Sequence, residues 1–461
     1  MSRAQTRRAR GQGVVAVLIA AALVAAGVAL DRTGRRPGGA AGAGTAPSGA
    51  WFCPHGGGKD WKVAVGVANP GTKAVKVRVS SFGSEEPSQP NEFSLEAGAS
   101  RRVSVPAEDR SASTMVEYFG GFAAAGWVAV AGGGESGVAA EPCAPDAGNA
   151  SLLPGNTTEK GKDSYVVVMN PFAADAVFSL KVFTEHRAPI QTTDVTDFVL
   201  KPHRSTSFHL NELSLGERSV GVEVRASLGR IAAASLGVSQ DGGIWSTVGL
   251  DGAGSRRILP GGQDSGLADL AVLNTGADDV QLKASLLGRG ARQTATGAQN
   301  QLVEPRSANT FSLETGVPST IDVNASGASM VTARRSGGVE GDLGSTAGAA
   351  APAEQWVVLP TTGDKPYETR LALANPGETD VTAALTIMGE DGPVADPAPL
   401  EVTVPAGLTV IAPADFTNAA PQAAVHVRAS GGAVAALSAS YSSDRAAYAV
   451  ATGVEVSGAP T

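Results

Sequence analysis

Residues 13–30, GVVAVLIAAALVAAGVAL, form an unbroken apolar run without a charge. From residue 51 onward the pattern changes to short apolar runs that alternate with polar residues and are punctuated by Gly, Pro, Asn and Asp. In the last repeat of this pattern, TRLALAN, VTAALTIM, LEVTVP, LTVIAP, AAVHVRA, AVAALSAS and AYAVATGV each read as a strand, because side chains on a strand point alternately to its two faces. Seven short strands with a turn signal about every 8 to 12 residues predict an all-β fold, an antiparallel β-sandwich of immunoglobulin-like kind. The 58 Gly, 27 Pro and 5% aromatic content suit strands and turns better than long helices.

The pattern recurs. Pro54, Pro154, Pro260 and Pro360 each close an apolar step (WFCP, SLLP, RILP, VVLP) at spacings of 100, 106 and 100 residues. Asn69, Asn170, Asn274 and Asn375 each end an apolar run, 101, 104 and 101 residues apart. Two landmarks in register predict four tandem repeats, over 51–150, 151–256, 257–355 and 356–461. A propeller-like or strand-swapped array is the alternative, although propeller blades usually have about half this period. At each landmark the Asn is expected to accept a bond from its own backbone two residues on.

The repeat explains Leu359-Pro360-Thr361-Thr362-Gly363, which fits the LPxTG pattern cut by sortases. A sorting signal needs an apolar span and a basic tail after it. Here a whole repeat follows instead, so the motif is a repeat boundary.

The apolar run is close to the roughly 20 residues that cross a bilayer as a helix. Arg3, Arg7, Arg8 and Arg10 precede it, which predicts a cytoplasmic tail (1–12), a transmembrane signal-anchor (13–30) and export of the rest. The expected location is the plasma membrane, single-pass, with the bulk extracytoplasmic; secretion after signal cleavage is the rival reading. Residues 31–50, rich in Gly, Ala and Pro, read as a linker that reaches about 25 Å as a flexible coil. From Trp51 onward 29 basic and 43 acidic residues leave a net charge of −14, which argues against a nucleic-acid partner. The only two cysteines, Cys53 and Cys143, lie on the exported side and are expected to form a disulfide.

Little in the chain points to chemistry. There is no GxSxG, HExxH, CxxC or Walker loop, so no catalytic residue, cofactor or metal ligand is assigned and an enzyme is not expected. His203 and His209 in KPHRSTSFHL lack a carboxylate pattern of ligand spacing and read as half-exposed strand residues. Asp241, Asp278, Asp279, Glu390 and Asp391 read as solvated turns. The candidate contact site for a ligand or partner is MVEYFGGFAAAGW, where Tyr118, Phe119, Phe122 and Trp127 surround paired glycines; such aromatics suit a sugar ring or a partner's surface, and core packing is the competing reading. Trp51, Trp61 and Trp356 are expected to pad the junctions between repeats.

An Arg-rich tail, one anchor, a Gly/Ala/Pro linker and then WFCP with repeats built on LxxxNPG and VPAG resemble the actinobacterial exported family called domain of unknown function 5719. The resemblance covers nearly all of the chain from Trp51. It implies an envelope setting, near a large membrane glycosyltransferase, and supplies no catalytic or binding residue. Repeats two and three depart from the motif, with Phe172 and Thr275 where the others have Pro70-Gly71 and Pro376-Gly377. The expected function is a membrane-anchored, extracytoplasmic, non-catalytic scaffold or accessory protein of the bacterial envelope. The alternative is a wall-glycan-binding or adhesion module.

Overall fold

The computed structural model describes residues 48–456 except 86, 88, 260, 262–266, 316–318, 327–329, 338–342, 363–366 and 443–447. The basic tail, the apolar span and the linker as far as residue 47 lie outside the described residues. Ser48–Ala50, placed in the linker by their composition, instead open the first strand, because their backbone pairs with Glu117–Phe119. Among the described residues no helix is long and apolar enough to cross a membrane.

The first repeat contains β1 (Ser48–Cys53), β2 (Lys62–Ala68), β3 (Val75–Phe82), β4 (Asn91–Leu95), β5 (Ser100–Val105), β6 (Ser113–Phe119), β7 (Ala124–Val130) and β8 (Val138–Pro142). They form two antiparallel sheets, β1-β6-β3-β4 and β5-β2-β7-β8. Alternation builds the first: on β3, Val75, Val77 and Val79 are buried while Lys76 is exposed. The strands Ala150–Asn156 to Ile244–Val248, Arg256–Leu259 to Leu343–Thr346 and Gln355–Val358 to Tyr448–Thr452 repeat both sheet orders, with Val454–Glu455 added beside Gln355–Val358 in the last.

The seven strands expected in the last repeat are present. An eighth, Gln355–Val358, comes from the VVLP step. The order is not the immunoglobulin one, in which the first strand lies beside the second and the seventh beside the sixth. Here β1 pairs with β6 and β7 pairs with β2. That exchange leaves β8 at a sheet edge, where it meets its counterparts from the other repeats.

Each repeat packs on the next through an apolar layer outside its own core. Phe52 and Phe82 meet Met169, Ala232 and Val248 of the second repeat. Leu152 and Phe183 meet Leu273 and Ala308 of the third, and Ile258 and Leu287 meet Ala374 and Ala435 of the fourth. Val357, Met388 and Ala424 of the fourth then join the core of the first. The array therefore closes into a ring: β8, Ile244–Val248, Leu343–Thr346 and Tyr448–Thr452 touch in cyclic order, the last returning to the first. This is a propeller-like arrangement with a whole sandwich in place of each blade, and among the described residues each of the eight sheets draws its strands from one repeat.

Ring packing explains why the inner strands lose alternation. β7, AAGWVAV, is buried at all but its last residue and its counterpart Ala232–Ser239 throughout, because one face covers its own core and the other a neighbour. Small residues keep those sheets close: a Cβ on Gly126 would stand 2.7 Å from Leu359 of the fourth repeat.

Candidate functional site: the aromatic tip of the first repeat and the buried polar groups

The repeated Asn is a structural clamp. The Oδ1 of Asn69, Asn170, Asn274 and Asn375 accepts the backbone N–H two residues on, at 3.0, 3.1, 2.9 and 2.9 Å, as its place before a turn predicts. The amide nitrogen reaches further than sequence alone shows. In Asn274 it donates to the carbonyls of Asp278, Val303 and Glu304 at 2.8, 3.1 and 3.0 Å, tying the turn after the second strand to the hairpin between the fourth and fifth. That hairpin has a left-handed residue in all four repeats: Gly98 (φ 68°), His203 (52°), Arg306 (55°) and Gly407 (72°). His203 is thus a turn residue that leans on Phe82 across the first junction at 5.8 Å, not a strand residue.

The LPxTG threonines are also internal. Thr361 and Thr362 are buried, Thr361 against the hydroxyl of Ser438 at 3.0 Å and Thr362 donating to Pro421 O at 3.1 Å. Gly363 lies outside the described residues. Cys53 and Cys143 form the expected disulfide.

The four aromatics of the candidate contact site separate. Trp127 sits on β7, 3% exposed in the core, with His55 at 6.0 Å between ring centres, and offers no face to solvent. Tyr118 and Phe119 end β6 on opposite faces of their sheet. Phe122, beyond the paired glycines, packs edge-on against Tyr118 at 5.8 Å and Trp51 at 6.2 Å. Phe119 is 41% exposed, and Tyr118 and Phe122 are half-buried. Burial, and then the nearby Asp146 carboxylate, raise the Tyr118 hydroxyl above its ordinary pKa.

The expected role of the tryptophans shifts by one residue along the strand. Trp51 and Trp356 point into their own sandwiches, donating to Ala123 O at 2.6 Å and Val434 O at 2.7 Å; their neighbours Phe52 and Val357 face the junctions, as a period of two requires. Trp61 does serve a junction. Its indole donates to Glu135 at 2.8 Å, Glu135 pairs with Arg110, and the Arg110 guanidinium lies between Trp61 (5.0 Å) and Tyr165 of the second repeat (5.1 Å). His209 stacks on Tyr165 at 4.6 Å and holds Asp163 at 3.0 Å. No periodic signal marked Arg110, which follows an irregular loop.

Two buried groups carry strong electrostatics. His55 is fully enclosed between Gly56 O (2.6 Å) and the Thr114 hydroxyl (3.0 Å), and burial lowers its pKa to about 4. Glu141, on β8 at the centre of the ring, accepts the Ala347 N–H of the third repeat at 3.2 Å and the Val248 N–H of the second. Burial lifts its carboxyl well above the usual carboxylate range, against the pull of those N–H groups and of Arg257. A lone acid in the apolar step VAAEPC was the signal for it.

Asp278, Asp279, Glu390 and Asp391 are exposed turn residues, as is Asp241, and no group of three or more metal-ligating side chains occurs among the described residues. An open cleft of about 490 Å³ beside the short helix Ala414–Ala419 holds the exposed carboxylates Asp396 and Asp415 near Phe416.

Residues 108–333 and 315–456 match the model of a family of unknown function, DUF5719. No curated protein matches the chain.

Proposed function

Because the chain belongs to the DUF5719 family, whose function is unknown, we propose from its own architecture that it is a non-catalytic scaffold or accessory protein, anchored by residues 13–30 outside the membrane of a bacterial cell. The observation that carries this reading is ring closure: four sandwiches joined at corresponding surfaces, with the fourth returned to the first, make a body whose outer sheets hold fixed relative positions. The strongly interacting side chains favour the same reading. Arg110, Glu135 and Tyr165 hold a junction, and Glu141 holds the axis. A body of this kind positions a partner rather than transforms one, and a membrane enzyme of envelope glycan assembly is the partner class that an anchored location suits.

Deleting residues 51–461 while keeping the anchor tests this. The expected result is an altered envelope glycan profile in the deletion strain, and in-cell crosslinks between the ring and a membrane protein in the strain that keeps the full chain. An unchanged profile on deletion, with no such crosslink to the full chain, would sink the scaffold reading. The second reading, a wall-glycan module, is favoured by Phe119, an aromatic ring exposed at the end of β6. Co-sedimentation of the protein with isolated wall sacculi, absent with membranes alone, would replace the first reading by this one.

A further inference from the structure

The end of the first repeat that receives the chain from residue 47 carries an unusual set of groups. Ser48, the first described residue, pairs directly with Phe119, and on the other side of β6 Phe119 pairs with Lys76. The turn after β6 folds over the turn before β3, so that a Cβ on Gly121 would stand 2.6 Å from Val75, and Gly120 takes a φ of 91° that places Phe119 at an outer corner. Thr72, Lys73, Ala74, Lys76, Phe119 and Gly120 are all exposed. Half-buried Tyr118 and Phe122 stand behind them. Among the nearby acids, Glu92 and Glu117 are held by Arg78 at 2.7 and 3.6 Å and Asp146 faces Tyr118, while Glu96 is exposed at the neighbouring hairpin, where its carbonyl shares the Asn69 amide with that of Lys73.

We propose that this tip, with Phe119 at its apex and Lys73 and Lys76 beside it, rests in the headgroup layer of the bilayer that residues 13–30 span. The proposal rests on the anchored reading above and adds which surface of the ring meets the lipid. Three features commit it to a lipid occupant. In sequence only residues 31–47 separate the apolar run from this corner, and their Gly/Ala/Pro composition would, as a flexible coil, allow a reach of roughly 20 to 25 Å. An exposed aromatic ring with half-buried aromatics behind it suits the interface, where such rings are enriched. Two exposed lysines, against the single exposed Glu96 at the same turn, leave the tip with a positive balance that matches anionic headgroups, although the body as a whole is acidic.

The test uses the full chain reconstituted into vesicles of phosphatidylglycerol and phosphatidylcholine. Cys53 and Cys143 are bonded to each other, so a single introduced cysteine takes an environment-sensitive fluorophore selectively. Phe119→Cys is labelled, with exposed Thr72→Cys as a second position on the same tip, Leu215→Cys as the aqueous control and Leu18→Cys as the report on the span. Leu215 is 71% exposed in the second repeat. Expected is quenching by spin-labelled lipid at positions 18, 119 and 72 and none at 215, with Lys73→Glu plus Lys76→Glu lowering it several-fold at 119 and 72 but not at 18. Quenching at 18 with none at 119 and 72 overturns the proposal and leaves the anchor standing. Absence of quenching at 18 overturns the anchored reading and the proposal together.

Discussion

The hydroxyl of Ser100 donates to the carbonyl of Met388, 288 positions further along the chain, at 2.5 Å, and its oxygen in turn accepts the Ala424 N–H at 3.1 Å. The Ser100 N–H also reaches Gly389 O at 2.7 Å. The same joint recurs where Ser205 N–H meets Gly83 O (2.9 Å) and Thr409 N–H meets Gly288 O (3.0 Å), with both hydroxyls again donating to the preceding repeat. At the remaining junction Ser307 turns back to Glu304 O at 2.8 Å, and Arg218 bridges to Ser312 at 2.7 Å instead.

Ser100→Ala removes one donor and one acceptor from a buried joint and leaves Met388 O and Ala424 N–H without that partner. Unsatisfied buried groups cost about 1 to 3 kcal/mol, and that loss is expected in the urea midpoint of the whole ring. Because the joint closes the ring, crosslinking between the first and fourth repeats falls as well. A midpoint unchanged within error, with crosslinking intact, would show that the apolar layer around Val357 and Met388 closes the ring unaided.

Asn274 tests the clamp. Asn274→Asp keeps an oxygen for the Gly276 N–H but removes the donors that serve Asp278, Val303 and Glu304. The aspartate variant is therefore expected to lose at least as much stability as Asn274→Ala, about 1 to 3 kcal/mol. An aspartate variant as stable as wild type would mean that the acceptor side alone matters.

These two sites show what the chain disclosed and what it hid. The Asn landmarks were legible because the bond to the residue two on is local and recurs with the period. The sandwich was legible where one face of a strand is wet, as on β3. The ring stood only as the propeller-like alternative, because β7 and its counterparts are covered on both faces and so carry no alternation, and because Ser100 and Met388 share no local pattern. Trp127 was grouped with Tyr118 for the same reason: nine residues apart in sequence, they lie on different sheets.

The disulfide closes a separation of 90 residues between the start and end of the first repeat. In the chain-entropy account a loop of that length is worth about 4 to 5 kcal/mol. Alkylation of the unreduced, denatured protein is expected to add nothing to its mass. Cys53→Ala with Cys143→Ala is expected to lower the midpoint of the ring by an amount of that order, since the first repeat meets two neighbours. Two alkyl groups on unreduced protein would disprove the bond.

His55 makes the ring sensitive to mild acid. Its folded pKa of about 4 lies below the ordinary 6.5, so the unfolded chain takes up the proton first and stability falls as pH drops from about 6.5 toward 4. At about 1.4 kcal/mol per unit the loss approaches roughly 3 kcal/mol by pH 4. His426, also lowered to about 4 by burial and by Arg428, adds in the same direction. His55→Gln keeps a donor and an acceptor and is expected to flatten its share of the slope; an identical slope in the variant would assign acid sensitivity elsewhere.

Glu141 acts with the opposite sign. Its folded pKa is raised, so its contribution is complete below the unfolded carboxyl value of about 4.3 and is lost as pH rises through the folded value, because the buried carboxylate is held less well than the acid. Glu141→Gln fixes the neutral form and retains an acceptor oxygen for the Ala347 N–H. The variant is expected to match wild type near pH 4 and to exceed it in urea midpoint at pH 7 to 8. Arg257 opposes this, since it loses a charge partner and keeps only Asp251 among the acids acting on it. If the variant instead falls below wild type as pH rises, the Arg257 attraction outweighs burial, and the axis of the ring is held by an ion pair rather than by a neutral acid.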